Sequence, residues 1–132
     1  MNFKVGDSAE TTRTIEQADI QAFADVTGDH NPVHVDKTFA QTTRFGRTIA
    51  HGMLTASLIS AVLANTLPGP GSVYLGQTLK FIAPVFPGDQ ITARVTVKEI
   101  REDKAIVKLE TICVNQRDEI VIRGEATILG RG

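Results

Sequence analysis

The chain of 132 residues has a formal net charge of -1, with 42% hydrophobic and 22% charged residues. These are the proportions of a globular protein, which excludes a disordered or collagen-like chain. The absence of a basic balance argues against a nucleic-acid partner. At this length one domain with a real core is expected, though a small one for a protein that must enclose a ligand, so oligomerisation is anticipated. No membrane partner is expected, because the longest apolar run, residues 53–64, is shorter than the ~18 to 20 residues of a span. No apolar run follows the charge near the N-terminus, so a signal peptide is not expected. Cys113, between Ile112 and Val114, is the one cysteine; it reads as a small hydrophobe in a strand and fits a reducing, cytoplasmic setting.

Residues 8–13 read as a short polar edge strand. Thr14-Ile15-Glu16-Gln17 then has the Thr-x-x-Gln form of a capping box. Ile15, Ala18, Ala22, Phe23 and Val26 recur at helical spacing as one buried stripe, with Glu16, Gln17, Asp19 and Gln21 outside. Gly28 ends this helix. Asp29-His30-Asn31-Pro32-Val33-His34 follows, a carboxylate, a carboxamide and an imidazole in one short segment. Asn31-Pro32 biases the backbone away from helix, so the segment reads as a fixed loop able to bind and move a proton. Asp29 sits just past the helix C-terminus, where the dipole disfavours a carboxylate unless something compensates. Asp36 is a good N-cap for a helical turn over residues 37–41, with Phe39 and Ala40 toward the core. Residues 42–48, polar and basic, cross the surface.

Residues 51–64 have no charge and are apolar nearly all round, interrupted by Thr55, Ser57 and Ser60; such a helix is buried on most sides. Two prolines and two glycines over residues 65–71 stop it. The period then changes to that of strands, over residues 73–82, 89–100, 105–115 and 120–129. Alternation is clearest in Ile91, Ala93, Val95 and Val97 against Thr92, Arg94, Thr96 and Lys98. A proline-glycine turn at residues 83–89 and charged turns at residues 101–104 and 116–119 join them as an antiparallel meander. A one-sided sheet and a mostly apolar helix have a joint solution, an α+β arrangement in which the sheet curls around the helix. The helix N-terminus near Gly52 then emerges with free N–H groups that can hold an anion or a polarised carbonyl oxygen.

The run Gly28-Asp29-His30-Asn31-Pro32-Val33-His34, followed by Ala40 and by Ala50-His51-Gly52-Met53-Leu54, resembles the MaoC-like (R)-specific enoyl-CoA hydratases of the hotdog fold. Both motifs stand in the family's order, and the likeness covers nearly the whole chain. It implies a single hotdog domain over residues 1–132, an antiparallel sheet wrapped around a long central helix. It implies a homodimer acting on an acyl-CoA thioester, with no cofactor beyond the CoA of the substrate. It also implies that Asp29 and His34 bind and activate a water, which adds across the 2,3 double bond of a trans-2-enoyl-CoA to give the (3R)-3-hydroxyacyl-CoA.

The chemistry fits these residues: hydration needs a base for the water, a proton for C2 and a hold on the enolate oxygen. Asn31 can orient groups without changing charge. The Gly52 N–H is the candidate for the thioester oxygen, since glycine admits close approach to the backbone. Ser60, about two turns beyond Gly52, and Leu63, one turn later, are candidates for lining a pocket for short to medium acyl chains. His51 is either a ligand contact or a cap or brace of the loop. Arg44, Arg47, Lys80 and Arg94 are available to the CoA phosphates, and no spacing selects among them. Competing readings are a 3-hydroxyacyl-ACP dehydratase, a thioesterase and a non-catalytic acyl-CoA-binding module. A metal site from Asp29, His34, Asp36 and His51 is not expected, because their spacing matches no compact ligand motif. Ser57 and Ser60 lack a nucleophile elbow and read as helix packing.

Overall fold

The computed structural model describes residues 1–130. In chain order the elements are β1 (Ser8–Thr14), α1 (Gln17–Thr27), α2 (Pro32–Val35), α3 (Lys37–Gln41), α4 (Gly52–Asn65), β2 (Val73–Phe81), β3 (Gln90–Arg101), β4 (Ile106–Val114) and β5 (Ile120–Leu129). The strands form one five-stranded sheet in the order β1-β3-β4-β5-β2, with antiparallel neighbours throughout. This is the hotdog arrangement, with α4 as the filling. Ile59, Val62 and Leu63 of α4 join Ile91, Val95, Val97, Leu109 and Ile128 of the sheet in one buried cluster. Each such aliphatic side chain contributes about 1.5 to 3 kcal/mol by leaving water. Among the described residues no helix is long and apolar enough to cross a membrane.

The expected strands and both charged hairpins are present, but the meander holds only for β3-β4-β5. β2 pairs with β5, not with its successor β3, so the chain from Ile82 to Asp89 crosses from one side of the sheet to the other. It is held along the way: Ala50 N–H donates to Val85 O at 2.7 Å, and Ile15 N–H to Asp89 O at 2.9 Å. Short-range turn chemistry gave no sign of this crossing.

Smaller differences also have physical causes. The first helix starts at Gln17, not at Thr14, which stays in β1. Its reciprocal cap is made by Glu16, whose N–H donates to the Asp19 carboxylate at 2.9 Å. With that start the buried face carries Ile20 and Ala24, while Val26 is 86% exposed and Ala18 and Ala22 are also exposed. Asp36 caps α3 as expected, accepting from Phe39 N–H, and Ala40 is buried, yet Phe39 turns outward. Along α4, Met53, Ser57 and Ser60 are exposed, so one face of this helix is open in the single chain.

At Gly124, β5 runs close against β2. A Cβ built there lies 1.8 Å from Thr78 O of β2. Gly124→Ala is expected to lower stability by at least about 1 to 3 kcal/mol through forced separation of β5 and β2, as read from urea unfolding. A change within about 0.5 kcal/mol, the range of an ordinary surface substitution, contradicts this register.

Candidate active site

Gly28 closes α1 in the left-handed region, φ 84°, with its N–H on Ala24 O. A residue with a Cβ is strained there; glycine lets the chain turn and release Asp29 immediately. Asp29 Oδ1 accepts from Asn31 N–H at 3.2 Å, and Asn31 Oδ1 accepts from Val33 N–H at 3.2 Å. Two successive Asx turns thus launch α2, with Pro32 in its first turn. Asn31 therefore spends its side-chain oxygen on capping and is absent from the groove wall described below. His30 lies outside that groove, paired with Asp25 at 3.2 Å.

α2 carries His34 inward. Its Nδ1 lies 2.7 Å from Ile49 O; a carbonyl only accepts, so Nδ1 carries the proton and the Nε2 lone pair is left for chemistry. The His34 carbonyl accepts from Gln17 Nε2 at 3.0 Å, and Gln17 Oε1 accepts from the buried Thr48 hydroxyl at 2.9 Å. His51 is 2% exposed. Its Nε2 bonds Asp29 O at 3.1 Å, and its ring packs on His34 at 3.9 Å and on Phe23 at 4.7 Å between centroids. One ligand-type atom from each of Asp29, His34 and His51 lies within 4.8 Å of the others. The two expected reactive side chains, Asp29 and His34, therefore converge, and His51 joins them. Asp36, busy capping α3, does not.

Gly52 opens α4 beside this cluster. Among the described residues its N–H meets no acceptor, as is ordinary for a first-turn donor. A Cβ at Gly52 lies 2.5 Å from the Phe81 ring, so glycine keeps this approach open. Asp29, His34, His51 and Gly52 share one groove of about 580 Å³, walled also by Phe81 at the end of β2 and by Ile82, Ala83 and Val85 from the crossing segment. Ser60 is on the wall of a second groove of about 530 Å³ that shares Phe23 and Met53 with the first. Leu63 is 2% exposed and belongs to the core cluster; it lines neither groove. Of the four cations, Arg44 is on the main groove. Arg47 lies over the Phe86 ring at 3.9 Å, and Arg94 pairs with Glu10.

Sequence reasoning passed over Thr55, whose side chain is buried in the groove wall with its hydroxyl unpartnered, as is His51 Nδ1. The signal was available, since Thr55 follows His51 by four residues and shares its helix face. Phe23 was read only as core, and the contribution of the crossing segment had no local signal.

A curled sheet around one helix, with Asp29 and His34 brought together beside that helix's N-terminus, defines a hotdog protein with a candidate site at the helix end. The family model of the MaoC like domain matches residues 3–120, and the chain belongs to that family. It is 48% identical over 128 residues to the (R)-specific enoyl-CoA hydratase of Rhodospirillum rubrum, covering 97% of this chain and 88% of that one. The solved (R)-hydratase of Aeromonas caviae involved in PHA biosynthesis matches with a TM-score of 0.95 at 46% identity, covering 98% of each chain. R-hydratase PhaJ1 of Pseudomonas aeruginosa in its unliganded form matches with a TM-score of 0.93 at 47% identity, covering 98% of this chain and 83% of that one.

Burial holds the proton affinity of His51 below the ordinary imidazole range. The bond to the Asp29 carbonyl opposes this, nearby His34 adds to it, Asp29 opposes and His30 adds. The unfolded chain takes up this proton near about pH 6.5, whereas the folded chain does so only at lower pH. Between the two values the unfolded state holds more protons, so this contribution is present above about pH 6.5 and lost as pH falls toward the folded value. Urea unfolding is expected to show stability declining over that window, and His51→Gln to flatten the decline. An unchanged slope in the variant contradicts the assignment.

Proposed function

We propose that this protein is an (R)-specific enoyl-CoA hydratase. It adds water reversibly to trans-2-enoyl-CoA, giving (3R)-3-hydroxyacyl-CoA, with no cofactor beyond the CoA of the substrate. The observation that carries this reading is the convergence of Asp29 and His34 within 4.8 Å, in the groove that also holds the Gly52 end of α4. The Asp29 carboxylate and His34 Nε2 are both acceptors, so together they hold the two O–H groups of one water. As the water oxygen bonds C3, the pair takes one proton, and the C2–C3 π electrons move toward the thioester oxygen. The Gly52 N–H, helped by the α4 dipole, stabilises that enolate oxygen. The pair then returns a proton to C2, which restores the carbonyl and leaves the enzyme unchanged. Asn31 fixes the loop through its cap, which is positioning rather than contact with the water.

The thioester headgroup reaches the mouth near Arg44, which is the cation best placed for a CoA phosphate. The acyl chain passes Met53 toward the second groove and Ser60, consistent with short to medium chains. Leu63 acts on that path only from behind, through packing.

The assembly belongs to the same reading. β2 is an edge strand, and Val73, Tyr74, Leu75 and Phe81 on it are 50%, 39%, 53% and 52% exposed. An apolar, unpaired edge invites a second strand, and a second copy of the chain pairing there would cover the open face of α4 as well. Light scattering after gel filtration is expected to give twice the chain mass of 14.3 kDa. Leu75→Lys is expected to shift the mass toward one chain, and a wild-type monomer rejects the homodimer.

With crotonyl-CoA, the conjugated enoyl absorbance is expected to fall and no free thiol to appear. Asp29→Asn or His34→Ala is expected to slow this by about two or more orders of magnitude. Thiol release points instead to a thioesterase. Binding without any absorbance change points to a non-catalytic module, and turnover of the carrier-protein thioester alone points to an ACP dehydratase.

A further inference from the structure

Asp29 stands on an exposed stretch, residues 28–31. Its backbone makes one contact with Thr27 Oγ1 through its N–H at 3.2 Å, and its carbonyl accepts from His51 Nε2 at 3.1 Å. The second contact joins the loop to a rigid element, because His51 is the N-cap residue of α4. Its side chain makes no capping bond there; it reaches across to Asp29 instead. The backbone following the same residue places Gly52. The distance between Asp29 and the oxyanion donor is therefore set through one side chain, whereas His34 is tied to the same segment separately, through Ile49 O.

We propose that His51 is a positioning residue for the hydratase site, a neutral imidazole that clamps the Asp29 carbonyl through Nε2–H and forms the floor under His34. This proposal rests on the function proposed above. The carbonyl requires a donor, so Nε2 carries the proton and Nδ1, buried and without a protein partner, keeps its lone pair. A phenyl ring fills the same space against Phe23 and His34 but releases Asp29. A charged ring also serves badly: at 3.9 Å from His34, it opposes any proton stored on His34 and competes for the Asp29 carboxylate. Burial at 2% exposure excludes water and keeps the ring uncharged. The clamp therefore supplies geometry without adding charge beside the proton-transfer pair.

Two readouts test this. Long-range 1H–15N NMR of the full chain, with the three histidines assigned by single substitutions, is expected to give His51 as the neutral Nε2–H tautomer at neutral pH. It should remain neutral as the pH falls below about 6.5, the range in which an ordinary imidazole takes up its proton. A charged His51, or the Nδ1–H tautomer, overturns the proposal, and this arm needs no activity. In kinetics, His51→Phe keeps the ring and removes the donor; kcat for crotonyl-CoA is expected to fall by about ten-fold or more with KM changed less than about three-fold. His51→Gln, whose amide N–H reaches the same carbonyl, is expected to recover most of that loss. Equal losses in the two variants, or a loss confined to KM, overturn the clamp. A wild type that hydrates nothing rejects the proposed function instead, while the NMR arm still decides the tautomer and charge.

Discussion

Three consecutive residues, Ile49, Ala50 and His51, hold the site together. Ile49 N–H donates to Val33 O at 3.2 Å, and Ile49 O accepts from His34 Nδ1 at 2.7 Å. Ala50 N–H donates to Val85 O at 2.7 Å, and His51 Nε2 reaches Asp29 O at 3.1 Å. One extended segment thus ties the Asp29 loop, α2, the crossing from β2 to β3 and the start of α4. Each bond is individually worth about 1 kcal/mol, but all four close on the same short span. Moving any one element shifts Asp29 and His34 relative to the helix end.

That junction is possible because α4 cannot move. Its buried face is locked into the curled sheet through Ile59, Val62 and Leu63, and β5 is held close to β2 at Gly124, where no side chain fits. The core therefore fixes the axis of α4, and the axis fixes where the Gly52 N–H points. In the proposed reaction, a donor preorganised in this way stabilises developing charge without reorganising. The apolar groove walls, Phe23, Phe81 and Val85 among them, limit water and strengthen the same electrostatics.

Local chemistry made much of this legible in the sequence. Gly28 as a stop, Asp36 as a cap, the strand alternation of Ile91 to Val97 and the buried Cys113, whose thiol burial pushes up to about 12, all follow from short-range rules. The proximity of Asp29 and His34 was legible because they are close in sequence, but the expected single loop is divided: Asn31 caps α2, and His34 is carried on that short helix. What escaped was set by distant partners. The phase of α1 depends on Glu16 and Asp19 closing the cap, and on where Ile20 meets the core. Leu63 has the right helical spacing for a pocket wall, yet the curled sheet covers that side of α4. The crossing that walls the groove follows from β2 pairing with β5, a contact that spans some fifty residues in register, Thr78 to Glu125. No local pattern encodes such a choice of neighbour.

If a single Asp29–His34 pair both takes the proton and returns it, the hydroxyl and the C2 proton must add to the same face of the double bond. The most direct measurement is the product formed from crotonyl-CoA in D2O, analysed for the configuration at C3 and for the position and stereochemistry of deuterium. The account predicts the 3R alcohol with one deuterium at C2, added on the same face as the hydroxyl. Deuterium on the opposite face, a 3S alcohol, or hydrolysis to free CoA without C2 labelling would contradict it.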